Sequence, residues 1–282
     1  MSVIHRKERI SCVRRRPKRL WVITAIVSWC LCHAASGLSV TTVAQSVSKG
    51  YQQRVAADPS FPVKSVTEII LAAGTQMAAE WNRRGASRLR PELDFVAAGV
   101  LTACYGKVYS MWRVAPTQMS GSESESSTDD ATVFGCPVPT NAFQNTLLDG
   151  KTVPTFGQRA LSLVAPMPSL FSAGVVASMV GYGLTALLIV LRTMVMPTYV
   201  AATRNVNVLY AILYTGAFMS VVSNVRYQVL QGIVEPKLIG RFKGFPIVHA
   251  IMLFSVRMAN GLLGSTLAIA GMKMLGLQKL KS

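Results

Sequence analysis

The 282-residue chain is 51% hydrophobic and only 15% charged, with a mean hydropathy of +0.38. A soluble domain carries about 25% charged residues, so this composition excludes an ordinary soluble protein and indicates a membrane protein. The net charge of +17 does not predict a nucleic-acid partner, because eight of the 29 Lys and Arg residues lie within residues 1–19 and the others are scattered, without an aromatic-interleaved basic strip or zinc-finger spacing.

The N-terminal segment has the layout of a targeting leader. Basic residues up to Arg19 precede a 13-residue apolar stretch, Leu20 to Cys32, which small residues follow. This order is typical of a secretory signal peptide over about residues 1–37, and we favour a cleaved signal over a retained anchor because a 13-residue helix spans only about 20 Å. Residues 38–50 are rich in Ser, Thr and Val and lack acids, which suits a transit peptide; a leader without a targeting role is the alternative.

Two helical segments are predicted next, over Val63–Arg84 and Pro91–Pro116. The first has apolar residues at helical spacing and is amphipathic. The second has an uncharged run of only 12 residues, Phe95–Gly106, so it crosses a membrane only if Lys107 reaches the headgroups or faces protein. Residues 117–135, which are rich in Ser and contain four acids, predict a flexible loop.

Three long uncharged runs follow, and each predicts a membrane span. They are Leu170–Leu191, Val206–Val225 and Phe245–Met272, in which Arg257 is the sole formal charge. The first run alone is 22 residues, or about 33 Å as a helix, which is enough to cross a bilayer. The predicted fold class is therefore all-α, an integral multi-pass helical bundle of three strong spans plus one or two amphipathic or membrane helices, formed by residues 51–278.

Small residues recur at helical spacing along one face of each predicted span. Such faces let helix backbones approach closely, because lipid supplies no hydrophobic drive between helices. The residues predicted to pack helices are Gly174, Ser178, Gly181, Gly216, Ser220, Gly261 and Gly264.

Arg226 ends one predicted span and Arg257 lies near the middle of another. A central arginine costs roughly 2.5 to 3.5 kcal/mol on insertion scales and usually pairs with an acid or faces a watery cavity. We predict that one of these arginines pairs with an acid of the N-terminal helices; for Arg226, reaching the headgroups from the helix end is the alternative. The candidate ion-pair or solute-binding residues are Glu68, Glu80, Asp94, Asn224, Arg226, Arg257 and Asn260.

Several short strings occur in an order that resembles the RETICULATA and RETICULATA-related family of plastid envelope proteins. They are "ADPSF" with Lys64, Thr67 and Glu68 after it, then "ELDF", "PTNAFQ", "GQR", "SNVRYQ" and "RMAN". The resemblance covers about Tyr51 to Gln278. It implies a multi-pass protein of the plastid envelope, placed in the inner membrane, with a role in plastid metabolism or development. With the leader added, it implies import through a bipartite signal.

Two functions from different classes follow from the resemblance and the polar residues. The first is a carrier of a small zwitterionic or anionic metabolite, an amino acid among the candidates. The alternative is a non-transporting scaffold or assembly factor that binds other membrane proteins. Expected partners are therefore membrane lipids, the metabolite, and a second copy or another membrane protein, with no nucleic acid.

No catalytic site is expected. His249 is the single histidine after the leader, and the sequence contains no nucleophile elbow, phosphate-binding loop or metal-ligand cluster. We therefore expect no enzyme activity, no bound metal and no cofactor.

Overall fold

The computed structural model describes residues 40–89, 92–119, 132–133, 136–196, 208–242 and 244–276. Within these ranges the chain is predominantly helical, and its extended structure is one antiparallel pair of two-residue strands, β1 (Thr132–Val133) and β2 (Cys136–Pro137). The predicted helical class is confirmed apart from this short pair. The chain divides into two compact units, Met1–Gly50 and Tyr51–Ser282.

Three helices open the described chain: α1 (Val40–Ala57), α2 (Phe61–Leu89) and α3 (Leu93–Arg113). Pro62 lies in the first turn of α2, where a missing backbone N–H leaves no hydrogen bond unmade. Gly85 interrupts α2 with a φ of 73°, a left-handed conformation that glycine adopts readily. Helices α2 and α3 pack along each other. Both helices predicted between Val63 and Pro116 are thus present.

After α3 and the strand pair, the next helices are α4 (Phe156–Val164) and α5 (Met167–Val195). Thr155 begins α4 with a capping box: its hydroxyl accepts the backbone N–H of Gln158, and the side chain of Gln158 accepts the backbone N–H of Thr155. Pro168 lies in the first turn of α5, and α5 includes the whole predicted run Leu170–Leu191.

Residues 208–242 form one helical stretch whose winding changes along its length. Its segments are α6 (Val208–Phe218), a first π-helix (Met219–Ser223), α7 (Asn224–Val229), a second π-helix (Leu230–Ile239) and a 3₁₀ turn (Gly240–Phe242). A π-helix is wider than an α-helix, and in proteins it is frequently found at functional sites. Pro236, which lacks a backbone N–H, lies inside the second one.

Two described stretches are long and apolar enough to cross a membrane, Phe156–Val195 and Pro246–Met274, the latter being helix α8. The sequence predicted three. The run Val206–Val225 does not form one α-helix of spanning length, because α6 ends at Phe218 and the first π-helix follows; residues 206–207 lie outside the described ranges. Two of the three predicted spans are therefore present among the described residues as helices long and apolar enough to cross a membrane.

The apolar core lies where α2, α3, α5 and the stretch 208–242 meet. Its buried members are Phe61, Met111, Val114, Ala115, Leu170, Ala173, Met219, Tyr227 and Leu230. Beside it, the ring of Trp112 stacks on Tyr51 at 6.3 Å and meets the edge of Phe61 at 5.9 Å. Aromatic pairs at these separations add to the free energy of burial. The core therefore joins N-terminal helices to C-terminal ones.

Glycine permits the closest helix contacts. A Cβ atom at position 174 would lie 2.9 Å from the Cα of Gly216, so α5 and α6 touch backbone to backbone there. A Cβ at position 181 would lie 2.9 Å from Oγ1 of Thr102 on α3. Two of the predicted small-residue positions on α5 thus contact two different neighbouring helices.

Two predictions fall largely on residues that the structure does not describe. The signal peptide over about residues 1–37 lies outside the described ranges, as do residues 120–131 and 134–135 of the Ser-rich loop. Of the transit-like segment 38–50, the part from Val40 onward belongs to α1.

The backbone contact between α5 and α6 predicts that replacing glycine by alanine has opposite effects on stability at two positions of α5. Gly174→Ala should lower the free energy of unfolding by about 1–3 kcal/mol, because the added methyl group meets the backbone of α6. Gly183→Ala should leave it unchanged or raise it by up to about 1 kcal/mol, because no atom lies within 4 Å of the new Cβ. Thermal unfolding of both variants in detergent measures this, and equal effects would contradict the packing.

Candidate functional site

Arg257 lies in the middle of α8 with 0% of its surface exposed. Two carboxylates from distant parts of the chain hold its guanidinium: Nη1 lies 2.9 Å from Oε2 of Glu68 on α2, and Nη2 lies 2.7 Å from Oε1 of Glu235 in the second π-helix. Nη1 also lies 3.0 Å from the sulfur of Met111. Because an unpaired buried charge is very costly, these carboxylates are what makes the buried position of Arg257 tolerable.

The two carboxylates extend this contact in both directions. On one side, Oε1 of Glu68 accepts a hydrogen bond from the hydroxyl of Tyr227. On the other, Oε2 of Glu235 lies 2.5 Å from Nζ of Lys64, which lies 2.5 Å from Oδ2 of Asp58. We call this group the ion chain; its members in spatial order are Tyr227, Glu68, Arg257, Glu235, Lys64 and Asp58.

Glu235 contacts its neighbours through ion pairs and not through well-aligned hydrogen bonds. Nitrogen atoms of Arg257 and Lys64 lie within 2.7 Å of its two oxygens, yet neither oxygen has an aligned hydrogen-bond partner among the described residues. The ion chain holds three carboxylates against two cations. The carboxylate at its end, Asp58, has the most exposed side chain of these five charged groups, at 27%. The excess negative charge can therefore be partly solvated.

The surroundings of Asp58 favour its ionised form. Burial alone would raise the pKa of Asp58, but the ammonium group of Lys64 and hydrogen bonds from Lys64 and Ser60 outweigh burial, so the pKa lies below the ordinary value of 3.8. Ser60 donates twice to Oδ1, from its backbone N–H at 3.0 Å and its hydroxyl at 2.6 Å. Asp58 is therefore ionised at neutral pH.

A second buried network consists of amides and fixes the loop before α4. Nδ2 of Asn141 donates to the carbonyls of Val114 at 3.0 Å and Gln228 at 3.2 Å. The side chain of Gln228 accepts the backbone N–H of Ala142 at 2.7 Å and donates to the carbonyl of Ser162 at 2.9 Å. Both amide side chains are fully buried. Helix α7 is thereby bonded to the loop and to α4.

Two further residues predicted for the site, Asn224 and Arg226, lie on α7. Asn224 donates to the carbonyl of Leu163 at 2.6 Å and belongs to the amide network. Arg226 donates to the carbonyl of Asn260 at 2.5 Å and to its Oδ1 at 3.1 Å. Among the described residues Arg226 has no ion pair, so of the two arginines considered it is Arg257 that pairs with an acid of the N-terminal helices, Glu68.

A glycine makes the position of Arg226 feasible. Its guanidinium lies directly over Gly264 on α8, where a Cβ atom would collide with Nη1 and Nη2. This close approach leaves the guanidinium on the surface of an interhelical cavity.

The first cavity has a volume of about 470 Å³ and lies between α2, α3, α5, α8 and the stretch 208–242. Its wall includes Lys107, Arg226 and Tyr227. Seven Ser and Thr residues add hydroxyl groups to the wall: Thr102, Ser110, Ser178, Thr185, Thr215, Ser223 and Ser265. Its other polar residues are Gln76, Glu80, Arg84 and Tyr182. A cavity of this size suits a small metabolite.

The second cavity, of about 650 Å³, shares no lining residue with the first. Asp58, Lys64 and Glu235 of the ion chain line it, together with His249. One end of the ion chain thus lines the first cavity, through Tyr227, and the other end lines the second. The buried Glu68–Arg257 pair, which lines neither, lies between them.

The remaining predicted acids lie elsewhere. Glu80 pairs with Arg84 at 2.8 Å, and Arg84 also contacts Glu92; all three are buried. Asp94 pairs with Arg192 at 2.5 Å, near the ends of α3 and α5, where both side chains are partly exposed. Of the three predicted acids, Glu68 therefore pairs with Arg257. Glu80 and Asp94 pair with Arg84 and Arg192, which were not predicted for the site.

Sequence reasoning left Lys64, Glu235, Tyr227, Gln228 and Asn141 out of the site. Four of the five lie in, or directly after, the strings that carry the family resemblance, and Glu235 lies outside those strings. Selecting every polar residue in or next to these strings would have identified four of the five. No cluster of three or more His, Cys, Asp or Glu side chains in the described ranges could hold a metal ion.

Comparison with known proteins gives one consistent result. A family model, RETICULATA-like, described as Protein RETICULATA-related, matches residues 53–233. Three relatives come from Arabidopsis thaliana. "Protein RETICULATA-RELATED 4, chloroplastic" is 29% identical over 82% of this chain. "Protein RETICULATA-RELATED 5, chloroplastic" is 26% identical and "Protein RETICULATA-RELATED 2, chloroplastic" is 25% identical, each over 83% of this chain. The chain spans 59%, 32% and 65% of their lengths. No solved structure matches the chain.

The ion chain predicts that neutralising Glu68 and neutralising Asp94 lower the free energy of unfolding by very different amounts. Glu68→Gln should lower the free energy of unfolding by about 3–5 kcal/mol, because it removes one of the two carboxylates that hold a buried arginine. Asp94→Asn should cost at most about 1 kcal/mol, because its partner is partly exposed. Chemical unfolding in detergent measures both values, and equal costs would show that Arg257 does not depend on Glu68.

The lowered pKa of Asp58 predicts a pH-dependent contribution to stability. Because the folded-state pKa lies below the unfolded value, the contribution is complete above the ordinary 3.8 and declines as the pH falls through the folded-state pKa. At neutral pH, Asp58→Asn should lower the free energy of unfolding by about 1.5–3 kcal/mol. The difference between wild type and variant should shrink in acid. A difference that stays constant from neutral pH into acid would contradict the contact with Lys64.

Proposed function

The chain belongs to the RETICULATA-like family. From that membership and from its two cavities between helices, we propose that it is a multi-pass membrane protein of the plastid envelope that carries a small metabolite. The names of three relatives contain the word chloroplastic, which supports a plastid location. The inner envelope membrane and import through the bipartite leader are parts of the same proposal.

The exposed surface supports membrane insertion. A core helix of a soluble protein is mostly buried, but only 17% and 28% of the most apolar windows of the two candidate spans are buried inside this fold. Large apolar side chains instead face outward, among them Val180 at 59% and Leu187 at 54% on α5, and Ile251 at 61% on α8. So much exposed apolar surface suits lipid tails. Arg257, which lipid would exclude, faces inward on α8.

Membrane crossing by more than two segments is also part of the proposal. The stretch 208–242 is helical throughout, and its first part, α6, is apolar and packs on α5. Its π-helical segments keep backbone groups hydrogen-bonded, which a chain inside a bilayer requires. We propose that this stretch is a third, irregular span.

The observation that carries the carrier function is the pair of cavities on opposite ends of the ion chain. A carrier needs a binding space inside the protein and a barrier that rearranges to open it to each side in turn. Here the first cavity provides the space, and the buried Glu68–Arg257–Glu235 group is the proposed barrier between it and the second cavity. Ion pairs suit a barrier because they can exchange partners.

The alternative is a non-transporting scaffold, with the small-residue faces serving as docking surfaces for other membrane proteins. Those faces are largely occupied within the chain itself: Gly174 contacts Gly216, and Gly264 lies under Arg226. This occupancy favours the carrier. No reaction is proposed for the cavity, in keeping with the absence of a recognisable catalytic motif in the sequence.

Transport of a solute predicts that narrowing the first cavity stops uptake without unfolding the protein. The purified full chain, reconstituted into liposomes, should take up at least one member of a panel of amino acids, C4 dicarboxylates and inorganic phosphate, with saturable kinetics. Ala103→Leu, which enlarges a residue of the cavity wall, should reduce uptake at least about tenfold, a loss of about 1.4 kcal/mol. Ala97→Leu, at an exposed position of the same helix, should leave it unchanged.

Two results would overturn this proposal. One is the absence of uptake for every panel member by protein whose unfolding transition shows that it is folded. The other is equal uptake by the Ala103→Leu and Ala97→Leu proteins. Purification of a stoichiometric membrane-protein partner together with the first result would favour the scaffold.

A further inference from the structure

We propose that the first cavity binds a small hydroxylated organic anion, a carboxylate or phosphate, between Lys107 on α3 and Arg226 on α7. This inference rests on the proposed function, because it names the class of solute that the cavity takes.

Neither cation of the site has an acidic partner among the described residues. Nζ of Lys107 donates to Oγ1 of Thr75 at 3.1 Å, and Arg226 donates to the neutral Asn260. Both side chains are only half-buried, and both line the cavity. Each therefore presents a positive charge to the cavity that no described ion pair neutralises.

The acids nearby are already engaged. Glu80, the single carboxylate of the cavity wall, pairs with Arg84 of the same wall, and Glu68 pairs with Arg257 behind Tyr227. The excess carboxylate of the ion chain, Asp58, lies at the other cavity. Like charges facing a cavity of low polarity repel each other, and a bound anion would relieve that repulsion.

The two cations converge on the same turn of α8. A Cβ at position 261 would lie 3.7 Å from Nζ of Lys107, and a Cβ at position 264 would collide with the guanidinium of Arg226. Positions three residues apart on a helix lie about 5–6 Å from each other. The charged groups are thus close enough for one small ligand to contact both, and the two glycines leave the room that they occupy.

The hydroxyl groups specify the rest of the ligand. Several of them donate their only hydrogen to a carbonyl of their own helix at 2.8–3.1 Å, which leaves oxygen lone pairs free to accept. These are Thr102, Ser110, Thr185, Thr215 and Ser265. Acceptors in the wall match hydroxyl donors on the ligand. A zwitterion is disfavoured, because the wall offers its ammonium group no carboxylate without a partner.

The test measures binding to the purified full chain in lipid nanodiscs by titration calorimetry, with four probes of similar size. L-malate should bind, succinate, which lacks the hydroxyl group, should bind more weakly, and alanine and glycerol should show no binding. Lys107→Gln and Arg226→Gln should each weaken malate binding at least tenfold. Lys273→Gln, an exposed cation near the end of α8, should leave it unchanged.

A further variant separates charge from folding. Gly264→Ala retains every charge but displaces the guanidinium of Arg226, so it should weaken malate binding by a similar factor. Arg226→Lys should restore part of the binding that Arg226→Gln loses, and it should restore the preference for malate over alanine. A purely structural role would not affect this preference.

Each result bears on one of the two proposals. Alanine binding as tight as malate binding, no binding of malate or succinate at millimolar concentrations, or unchanged affinity in both Lys107→Gln and Arg226→Gln would overturn the anion site. Equal affinities for malate and succinate would overturn its hydroxyl-binding part. Malate binding without uptake of any panel member into liposomes would overturn the carrier and leave the anion site. Alanine uptake unaffected by either substitution would overturn the anion site and leave the carrier.

Discussion

One buried guanidinium determines how this fold is arranged. Arg257 is enclosed on α8, and only carboxylates at its two edges make that enclosure tolerable, because a buried charge without a partner costs several kcal/mol. Those carboxylates belong to Glu68 on α2 and Glu235 in the second π-helix, which are 167 positions apart along the chain. The ion chain thereby defines how the N-terminal helices meet the C-terminal ones, and the apolar core and the glycine contacts fit around it.

The same interaction divides the interior. Tyr227 brings one end of the ion chain to a cavity with an excess of positive charge, and Lys64 and Asp58 bring the other end to a more polar cavity. In lipid, where water cannot enter from the sides, such a layer of paired charges would be both a seal and a set of groups that can exchange partners. The same charge pairs would then both hold the helices together and form the barrier that a carrier needs.

The sequence predicts much of the fold but only part of the site. Apolar residues at helical spacing predict α2, and uncharged runs predict α3, α5 and α8, because those signals are local. A lone charge in the apolar run of α8 likewise predicts that Arg257 faces inward. The π-helices were missed, because a widened turn leaves no periodic pattern, and they end the predicted second span. Glu235 and Lys64 were missed because their pairing depends on contacts between distant segments, which no spacing in the sequence encodes.

The most direct measurement of the central claim is a double-mutant cycle on Glu68 and Arg257. The free energy of unfolding would be measured for the wild type, Glu68→Gln, Arg257→Gln and the protein with both substitutions. If the two side chains hold each other in the interior, the double variant should be more stable than the sum of the single losses implies, by more than about 1 kcal/mol. Losses that add to within about 0.3–0.5 kcal/mol would mean that the pair does not interact, and the arrangement described above would be wrong.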